Sequence, residues 1–168
     1  MVLREVQIVD YGVGNLGSVV NMVKHVGGRA SICSAADSLN HSAKIILPGV
    51  GHFEKAMLRL RKEGWVAALD KARGHGAWIM GICLGMQLLS DWGEEGGGSA
   101  GLGLIPGEAK RMPEERDLLL PHVGWNTINF VKNHPVFQGV KNCIDCYFVH
   151  SYHFICNNDG HIYARSNY

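Results

Sequence analysis

The stretch Met80-Gly81-Ile82-Cys83-Leu84-Gly85-Met86-Gln87 decides the fold of this 168-residue chain. The apolar residues 77–80 before Cys83 predict a short buried strand, and residues 84–89 predict a helix. The spacing Gly81-x-Cys83-x-Gly85 between a strand and a helix is typical of a nucleophile elbow, with cysteine in the place of serine. The glycines are needed because side chains two positions from the nucleophile collide in so sharp a turn. The start of the helix favours thiolate at Cys83, whereas a lone cysteine there could equally be a buried structural residue.

Composition narrows the classes of function. Hydrophobic residues make up 46% of the chain and charged residues 18%, which is typical of one ordinary globular domain. A net charge of +1 gives no reason to expect nucleic acid or a membrane surface as a partner. Five scattered cysteines, and an N-terminus interrupted by Arg4 and Glu5, favour a reducing cytoplasm over disulfides or a leader peptide. We therefore expect a cytoplasmic protein that uses neither nucleic acid nor membrane.

Strands and helices alternate through the first half of the chain. Apolar runs predict strands at residues 6–10, 30–33, 44–47 and 77–80, separated by helices at 16–26, 53–60 and 65–72. The helix at 16–26 carries an apolar stripe on one face, formed by Val19, Met22, Val23 and Val26. This alternation predicts an α/β fold, with a doubly wound, mostly parallel sheet flanked by helices and a site at the carboxyl ends of the strands.

Two further loops follow strands at that edge. Residues 12–17 spell the Gly-x-Gly-x-x-Gly fingerprint of dinucleotide sites, but the acidic residue expected after the second strand is represented only by Asp37. A tight turn capped by Asn15 or Ser18 is the alternative. Residues 48–51, Pro-Gly-Val-Gly, expose backbone N–H groups that could donate to an oxyanion, or they form a plain turn into a helix.

The second half of the chain is less regular. Residues 92–103 are rich in glycine and predict a mobile surface loop. Shorter strands are predicted near 108–111 and 127–130, with a loop at 121–126 in which Trp125 is either a local packing residue or a partner contact. Cys143-x-x-Cys146 has no second ligand pair at a suitable spacing, so we expect no metal.

Two stretches near the C-terminus are also predicted to be strands, residues 147–149 and 161–164. The first leads into His150-Ser151-Tyr152-His153. A histidine there could act as a base for Cys83, or it could be an ordinary hydrogen-bonded polar residue.

Several of these stretches together resemble the class I glutamine amidotransferases, and among them the glutaminase subunit of imidazole glycerol phosphate synthase in histidine biosynthesis. The elbow marks the class, while Tyr11-Gly12-Val13-Gly14-Asn15-Leu16 and His122-Val123-Gly124-Trp125-Asn126 point to this subunit. The matching stretches are spread along nearly the whole chain: residues 10–16, 47–51, 81–87, 101–107, 121–126 and 147–152. Because of this match, we do not expect residues 12–17 to bind a dinucleotide.

The resemblance implies a reaction. Cys83 would attack the side-chain amide of L-glutamine, release ammonia and leave a glutamyl thioester for water to hydrolyse. No cofactor and no metal is implied. The oxyanion donors would be backbone N–H groups of Gly49, Val50, Gly51 and Leu84. Glutamine would be held by Gln87 and by the backbone at His150, Ser151 and Tyr152. Asn15 and Trp125 would face a (β/α)8-barrel synthase subunit that receives the ammonia.

The resemblance is incomplete at the C-terminal end. The family completes its triad with the histidine and glutamate of a His-Pro-Glu stretch, which we expect beyond Tyr168. None of His150, His153 and His161 matches that stretch. The chain is either a fragment of a longer protein, which the smooth match up to its end favours, or a defective amidotransferase. We expect one amidotransferase domain over residues 1–168 that lacks its C-terminal segment and hydrolyses glutamine poorly alone.

Three functions stay open at this point. The first is a glutaminase subunit whose ammonia is used to make imidazole glycerol phosphate and AICAR. The second is a catalytically incomplete module that only binds its partner. The third is a stand-alone cysteine hydrolase using His150 or His153. Related subunits that feed ammonia to other pathways, such as sugar amidation, would share these motifs.

Overall fold

Four parallel strands form the sheet that carries the elbow. The computed structural model describes residues 5–39, 44–114 and 119–168, and therefore not Arg4. The four strands lie in the order β2-β1-β3-β4. Their bounds are Val6–Val9 for β1, Ala30–Cys33 for β2, Lys44–Leu47 for β3 and Trp78–Gly81 for β4. The chain starts in the middle, moves to one edge and returns to the other side, which is the doubly wound order. The predicted fold class is confirmed.

Four helices connect or follow these strands. Their bounds are Leu16–His25 for α1, Phe53–Lys62 for α2, Trp65–Gly74 for α3 and Leu84–Leu88 for α4. The apolar stripe of α2 is buried, and α3 adds its own stripe to the same core, because both helices place apolar residues three or four positions apart. These buried side chains are Phe53, Ala56, Met57, Leu60, Trp65, Leu69 and Ala72.

The predicted burial of the strand at 77–80 is wrong in part, and the apolar face of α1 is more exposed than its pattern suggests. Helix α1 has no fully buried residue, and Met22 and Val26 are 61% and 74% exposed. The reason is that Val26 follows the last helical turn and α1 packs mainly against β1 and β2, which leaves Met22 exposed. Strand β4 is an edge strand of the described sheet: Ile79 packs on the core, while Trp78 and Met80 point to the other face and are exposed.

The second half of the chain forms two further sheets. One has the order β10-β7-β5-β6 and the other β11-β8-β9, mostly with antiparallel pairing. The bounds are Trp92–Gly93 for β5, Ser99–Ala100 for β6, Gly107–Arg111 for β7, His122–Phe130 for β8, Ile144–His150 for β9, Tyr152–Cys156 for β10 and Ala164–Arg165 for β11.

These sheets correct three predictions. Residues 121–126 are mostly strand and not loop, because Gly124 adopts φ +149 and lets β8 continue through the pairing of Trp125 with Tyr147. The glycine-rich residues 92–103 contain β5, β6 and a 3₁₀ turn, and Glu95 is fixed there by accepting the Phe53 N–H at 2.7 Å. In the predicted strand at 161–164, only Ala164 is extended in β11, since a 3₁₀ turn occupies residues 159–161.

No helix among the described residues is long and apolar enough to cross a membrane.

Candidate active site

Cys83 occupies a strained turn between β4 and α4. Its backbone dihedrals are φ +55° and ψ −119°, a conformation that a non-glycine residue adopts only when its surroundings enforce it. The side chain is exposed. No described residue forms a hydrogen bond with the Cys83 Sγ. The sulfur is therefore presented to solvent on a backbone that the fold holds in place, as a nucleophile elbow requires.

The two glycines of the elbow are required by close backbone contacts. A Cβ at Gly85 would lie 1.9 Å from the Leu47 carbonyl oxygen, and a Cβ at Gly81 would lie 2.5 Å from the Gly85 carbonyl oxygen. The same Leu47 oxygen accepts the Ile82 N–H at 3.0 Å. The turn is thus pressed against the end of β3, and the Gly-x-Cys-x-Gly spacing follows from that contact.

The loop after β3 lies against the first turn of α4. A Cβ at Gly49 would lie 2.9 Å from the Gly85 N and 3.0 Å from the Leu84 Cβ. Val50 is exposed, and Gly51 adopts φ +100° with open space around it. The residues expected to supply oxyanion donors, Gly49, Val50, Gly51 and Leu84, therefore belong to two segments that touch.

Tyr11 also contacts the loop after β3, and no role is predicted for it from the sequence. It is fully buried, and its hydroxyl donates to the Pro48 carbonyl at 2.9 Å. Burial raises the pKa of the Tyr11 phenol above its usual range, and the charge of nearby Cys83 raises it further. The signal available in the sequence is an aromatic residue directly after a buried strand and directly before a glycine.

Gln87 connects the elbow helix to the turn between β9 and β10. Its side chain is 8% exposed, and its Nε2 donates to the Tyr152 carbonyl at 3.0 Å. The His150 Nδ1 lies 2.9 Å from the same oxygen. The structure thus brings Gln87, His150 and Tyr152 together, with Ser151 between them in the chain. The contact made by Gln87 is one that positions the turn.

A pair of histidines supports this turn from the other side. The His122 Nδ1 and His150 Nε2 are 3.1 Å apart. Because a carbonyl can only accept, His150 donates through Nδ1 to Tyr152, so in its neutral form it accepts at Nε2 from the His122 Nδ1–H. Burial lowers the pKa of His122, and His150 lowers it further. The cross-strand pairing of these two histidines could not be seen before the register of β8 on β9 was known.

The structure gives Cys83 no base among the described histidines. His150 is engaged with His122 and Tyr152. Burial lowers the pKa of His153, and His150 lowers it further. Neither histidine forms a hydrogen bond with the Cys83 Sγ, so the geometry lends no support to a stand-alone hydrolase using one of them.

The two expected partner contacts lie on different elements. The Asn15 Oδ1 accepts the Ser18 N–H at 3.2 Å and caps α1, as predicted for a tight turn. Trp125 lies on β8, is 72% exposed and packs edge-to-face on Tyr147 with 5.6 Å between ring centroids. In the described part of the chain, no cluster of three or more His, Cys, Asp or Glu side chains could hold a metal ion.

Comparison with known proteins identifies the family. Residues 7–167 match the sequence model described as glutamine amidotransferase class-I. The chain belongs to the class I glutamine amidotransferase family. Its relatives include a protein of Moorella thermoacetica named imidazole glycerol phosphate synthase subunit HisH, 39% identical over 166 residues, or 99% of this chain and 78% of that protein. A protein of the same name from Sulfurimonas denitrificans is 41% identical over 166 residues, 97% of this chain and 80% of that protein.

Solved structures show the same amidotransferase fold. A crystal structure described as glutamine amidotransferase has a TM-score of 0.72 at 16% identity, covering 95% of this chain and 79% of that one. A structure of PurLQS from Thermotoga maritima has a TM-score of 0.70 at 19% identity, covering 97% of this chain and 74% of that one. The family resemblance and the fold class expected from the sequence are both confirmed.

Proposed function

We propose that this class I amidotransferase is the glutaminase subunit of a two-subunit synthase. It hydrolyses L-glutamine to glutamate and ammonia, and the partner uses the ammonia to make imidazole glycerol phosphate and AICAR. The observation that carries the proposal is the strained, exposed Cys83 with the loop at residues 49–51 packed against its helix. The name shared by the Moorella and Sulfurimonas relatives supports this subunit over other amidotransferases.

The reaction begins at the Cys83 sulfur. The thiolate attacks the side-chain amide carbon of glutamine, and the carbonyl oxygen takes the negative charge. Backbone N–H groups of Leu84 and of Gly49, Val50 or Gly51 stabilise this oxyanion. The C–N bond then breaks, ammonia leaves after receiving a proton, and the remaining glutamyl thioester is hydrolysed by water.

One group must accept the proton of the Cys83 thiol, as a general base, and then donate a proton to the leaving nitrogen, as a general acid. We propose that the histidine and glutamate of a His-Pro-Glu stretch beyond Tyr168 supply it, with residues 1–168 as the remainder of one amidotransferase domain. Two observations support this assignment. No described histidine bonds to the Cys83 sulfur, and both His150 and His122 are engaged in the support of the turn at Tyr152.

The glutamine itself would lie between α4 and the turn after β9. We assign Gln87 and the backbone of His150, Ser151 and Tyr152 to its binding, and the Gln87–Tyr152 hydrogen bond holds the turn directly against α4. The Met112 N–H donates to the Ser151 carbonyl at 2.9 Å and ties the turn to the end of β7. These contacts fix the position of the turn relative to Cys83.

The partner would dock on the β8–β9 ribbon. Trp125 pairs with Tyr147 across the ribbon and Val123 pairs with Val149, so all four side chains lie on one face. Each is more than half exposed. Contiguous exposed apolar patches of this kind mark interaction sites. We propose that this face and Asn15 contact the (β/α)8-barrel synthase subunit.

The test uses the protein as its gene encodes it, together with its synthase subunit. Release of glutamate from glutamine is measured for the wild type, for Cys83→Ala and for Cys143→Ala. Cys143 is a matched control because it too is exposed and has a positive φ of 59°. We expect Cys83→Ala to abolish turnover and Cys143→Ala to retain it. Unchanged turnover in Cys83→Ala would refute the proposal.

A partner-binding module without catalysis is the second candidate. The exposed β8–β9 face favours it, since that surface is built independently of Cys83. It predicts a complex with the synthase subunit, detectable by size-exclusion chromatography, that releases no glutamate. Turnover by the complex would exclude it. The same complex, supplied with the substrates of other ammonia-dependent synthases such as those that aminate sugars, would identify the ammonia acceptor.

A further inference from the structure

Tyr11 reaches from one strand end to the next. Strands β1 and β3 are parallel neighbours, with Ile8 paired to Ile46, so the segments that follow them lie side by side. Tyr11 comes two residues after β1 ends, and its hydroxyl donates to the carbonyl of Pro48, directly after β3. The ring is fully buried, and the 2.9 Å hydrogen bond is therefore shielded from competition by water.

The group that Tyr11 holds is the peptide that starts the oxyanion loop. The Pro48 carbonyl and the Gly49 N–H belong to one planar unit, so fixing the carbonyl fixes the direction of the N–H. The position of a Cβ at Gly49 is filled by atoms of both Tyr11 and the elbow helix. A Cβ at Gly49 would lie 2.8 Å from the Tyr11 hydroxyl and 2.9 Å from the Gly85 N. The Pro48–Gly49 peptide is thus enclosed between the phenol and the elbow.

The far end of the same loop is not held in this way. Gly51 has no atom within 4 Å of the position of a Cβ, and its φ is +100°, a region that glycine adopts freely. Val50 is exposed. The loop therefore has one end locked against Cys83 and one end with room to turn.

We propose that Tyr11 is a positioning residue for catalysis: its hydroxyl locks the Pro48–Gly49 peptide so that the loop presents its N–H groups to the oxyanion formed at Cys83. This inference rests on the proposed glutaminase function. Burial and the negative charge of Cys83 both hold the phenol in its protonated form, so the donor persists while the thiolate is present.

Tyr11→Phe is the variant that tests this role, because it removes the hydroxyl and keeps the ring. Glutamine hydrolysis is measured with the full-length protein in complex with its synthase subunit. We expect kcat to fall about 10- to 100-fold, which is less than the loss of a whole oxyanion donor, with KM within about twofold of the wild type. Tyr163→Phe is the matched control, because Tyr163 is partly exposed and its ring packs on His134, and we expect it to leave both constants unchanged.

A second measurement separates the loop from the elbow. The rate at which iodoacetamide alkylates Cys83, followed by intact mass spectrometry, depends on the thiol and its exposure but needs no oxyanion hole. We expect Tyr11→Phe to leave this rate within about twofold of the wild type, because the elbow is fastened by Leu47 and not by the phenol.

Each remaining outcome counts against the proposal. An unchanged kcat would show that the hydroxyl does not position the loop. A parallel loss of kcat and alkylation would show that Tyr11 supports the elbow itself. A wild-type complex that releases no glutamate would refute the proposed function, and this inference with it, whereas an active wild type with an equally active Tyr11→Phe would refute the role of Tyr11 alone.

Discussion

Replacing Gly85 by alanine should damage the elbow by pressing it into strand β3. The new Cβ would lie 1.9 Å from the Leu47 carbonyl oxygen, 2.8 Å from the Leu47 carbonyl carbon and 3.2 Å from the Pro48 carbonyl carbon. All three are backbone atoms at the end of β3 or directly after it, so no side chain can rotate to make room. The elbow and β3 must therefore separate by more than about 1 Å to reach ordinary contact distances.

That separation has two costs. Overpacking a well-filled site costs about 1–3 kcal/mol. Stretching the hydrogen bond from the Ile82 N–H to the Leu47 carbonyl, which is 3.0 Å long in the wild type, costs about 1 kcal/mol more. We expect the free energy of unfolding to fall by about 2–4 kcal/mol, or about 5–15 °C in melting temperature for a domain of this size. Because Cys83 moves with the turn, glutamine turnover should fall about 100-fold or more.

The assay is thermal unfolding followed by circular dichroism, with glutamate release measured well below the melting temperature. Gly74→Ala is the control, since Gly74 ends helix α3 and has no atom within 4 Å of a Cβ. Alanine there should be neutral or stabilise by up to about 1 kcal/mol. A Gly85→Ala protein that unfolds within about 0.5 kcal/mol of the wild type and retains its turnover would refute the steric role of Gly85.

Three further predictions concern the second half of the chain. Burial and His150 lower the pKa of His122, so the fold favours its neutral form. With respect to this group, the free energy of unfolding should be highest above about pH 6.5. It should decrease as pH falls from there toward the lower pKa of the folded state. Urea titrations should show this decrease reduced in His122→Gln, and a wild type insensitive to pH in that window would contradict it. Trp125→Ala should weaken binding of the synthase subunit about 10- to 100-fold in calorimetry without changing alkylation of Cys83, and equal affinity would exclude Trp125 from the interface. Glu95→Ala should lower the free energy of unfolding by about 1 kcal/mol in urea by removing the acceptor of the Phe53 N–H, and equal stability would show that this cap contributes nothing.

The sequence predicted the parallel sheet and the elbow because both depend on local patterns. Strand β3 and helix α2 show the periods of buried elements, and their boundaries agree closely with the prediction. The elbow needs two glycines at fixed spacing around Cys83, and the structure explains each of them by a contact under 3 Å. A steric requirement of that kind can be recognised in the sequence, because it appears there as glycine at a fixed position.

Other features depend on what packs against an element, and periodicity alone does not contain that information. The stripe of α1 and the strand β4 have the pattern of buried elements, but each is covered on one side only in the described structure, which leaves Met22 and Trp78 exposed. The sequence predicts residues 127–130 of β8 as a strand but residues 121–126 as a loop, because the glycine and aromatic residues there are typical of turns. Its partner β9 lies about 20 residues further along the chain, so the His122–His150 pair could be found only in three dimensions.

The Tyr152 carbonyl oxygen accepts two hydrogen bonds, and this limits how the proposed glutamine site can recognise its substrate. A carbonyl oxygen has two lone pairs, and here Gln87 occupies one at 3.0 Å and His150 the other at 2.9 Å. That oxygen has no remaining capacity for the ammonium group of a substrate. In the glutamine site proposed here, the Tyr152 carbonyl therefore serves to hold the turn, and the ammonium group of glutamine needs an acceptor on another residue.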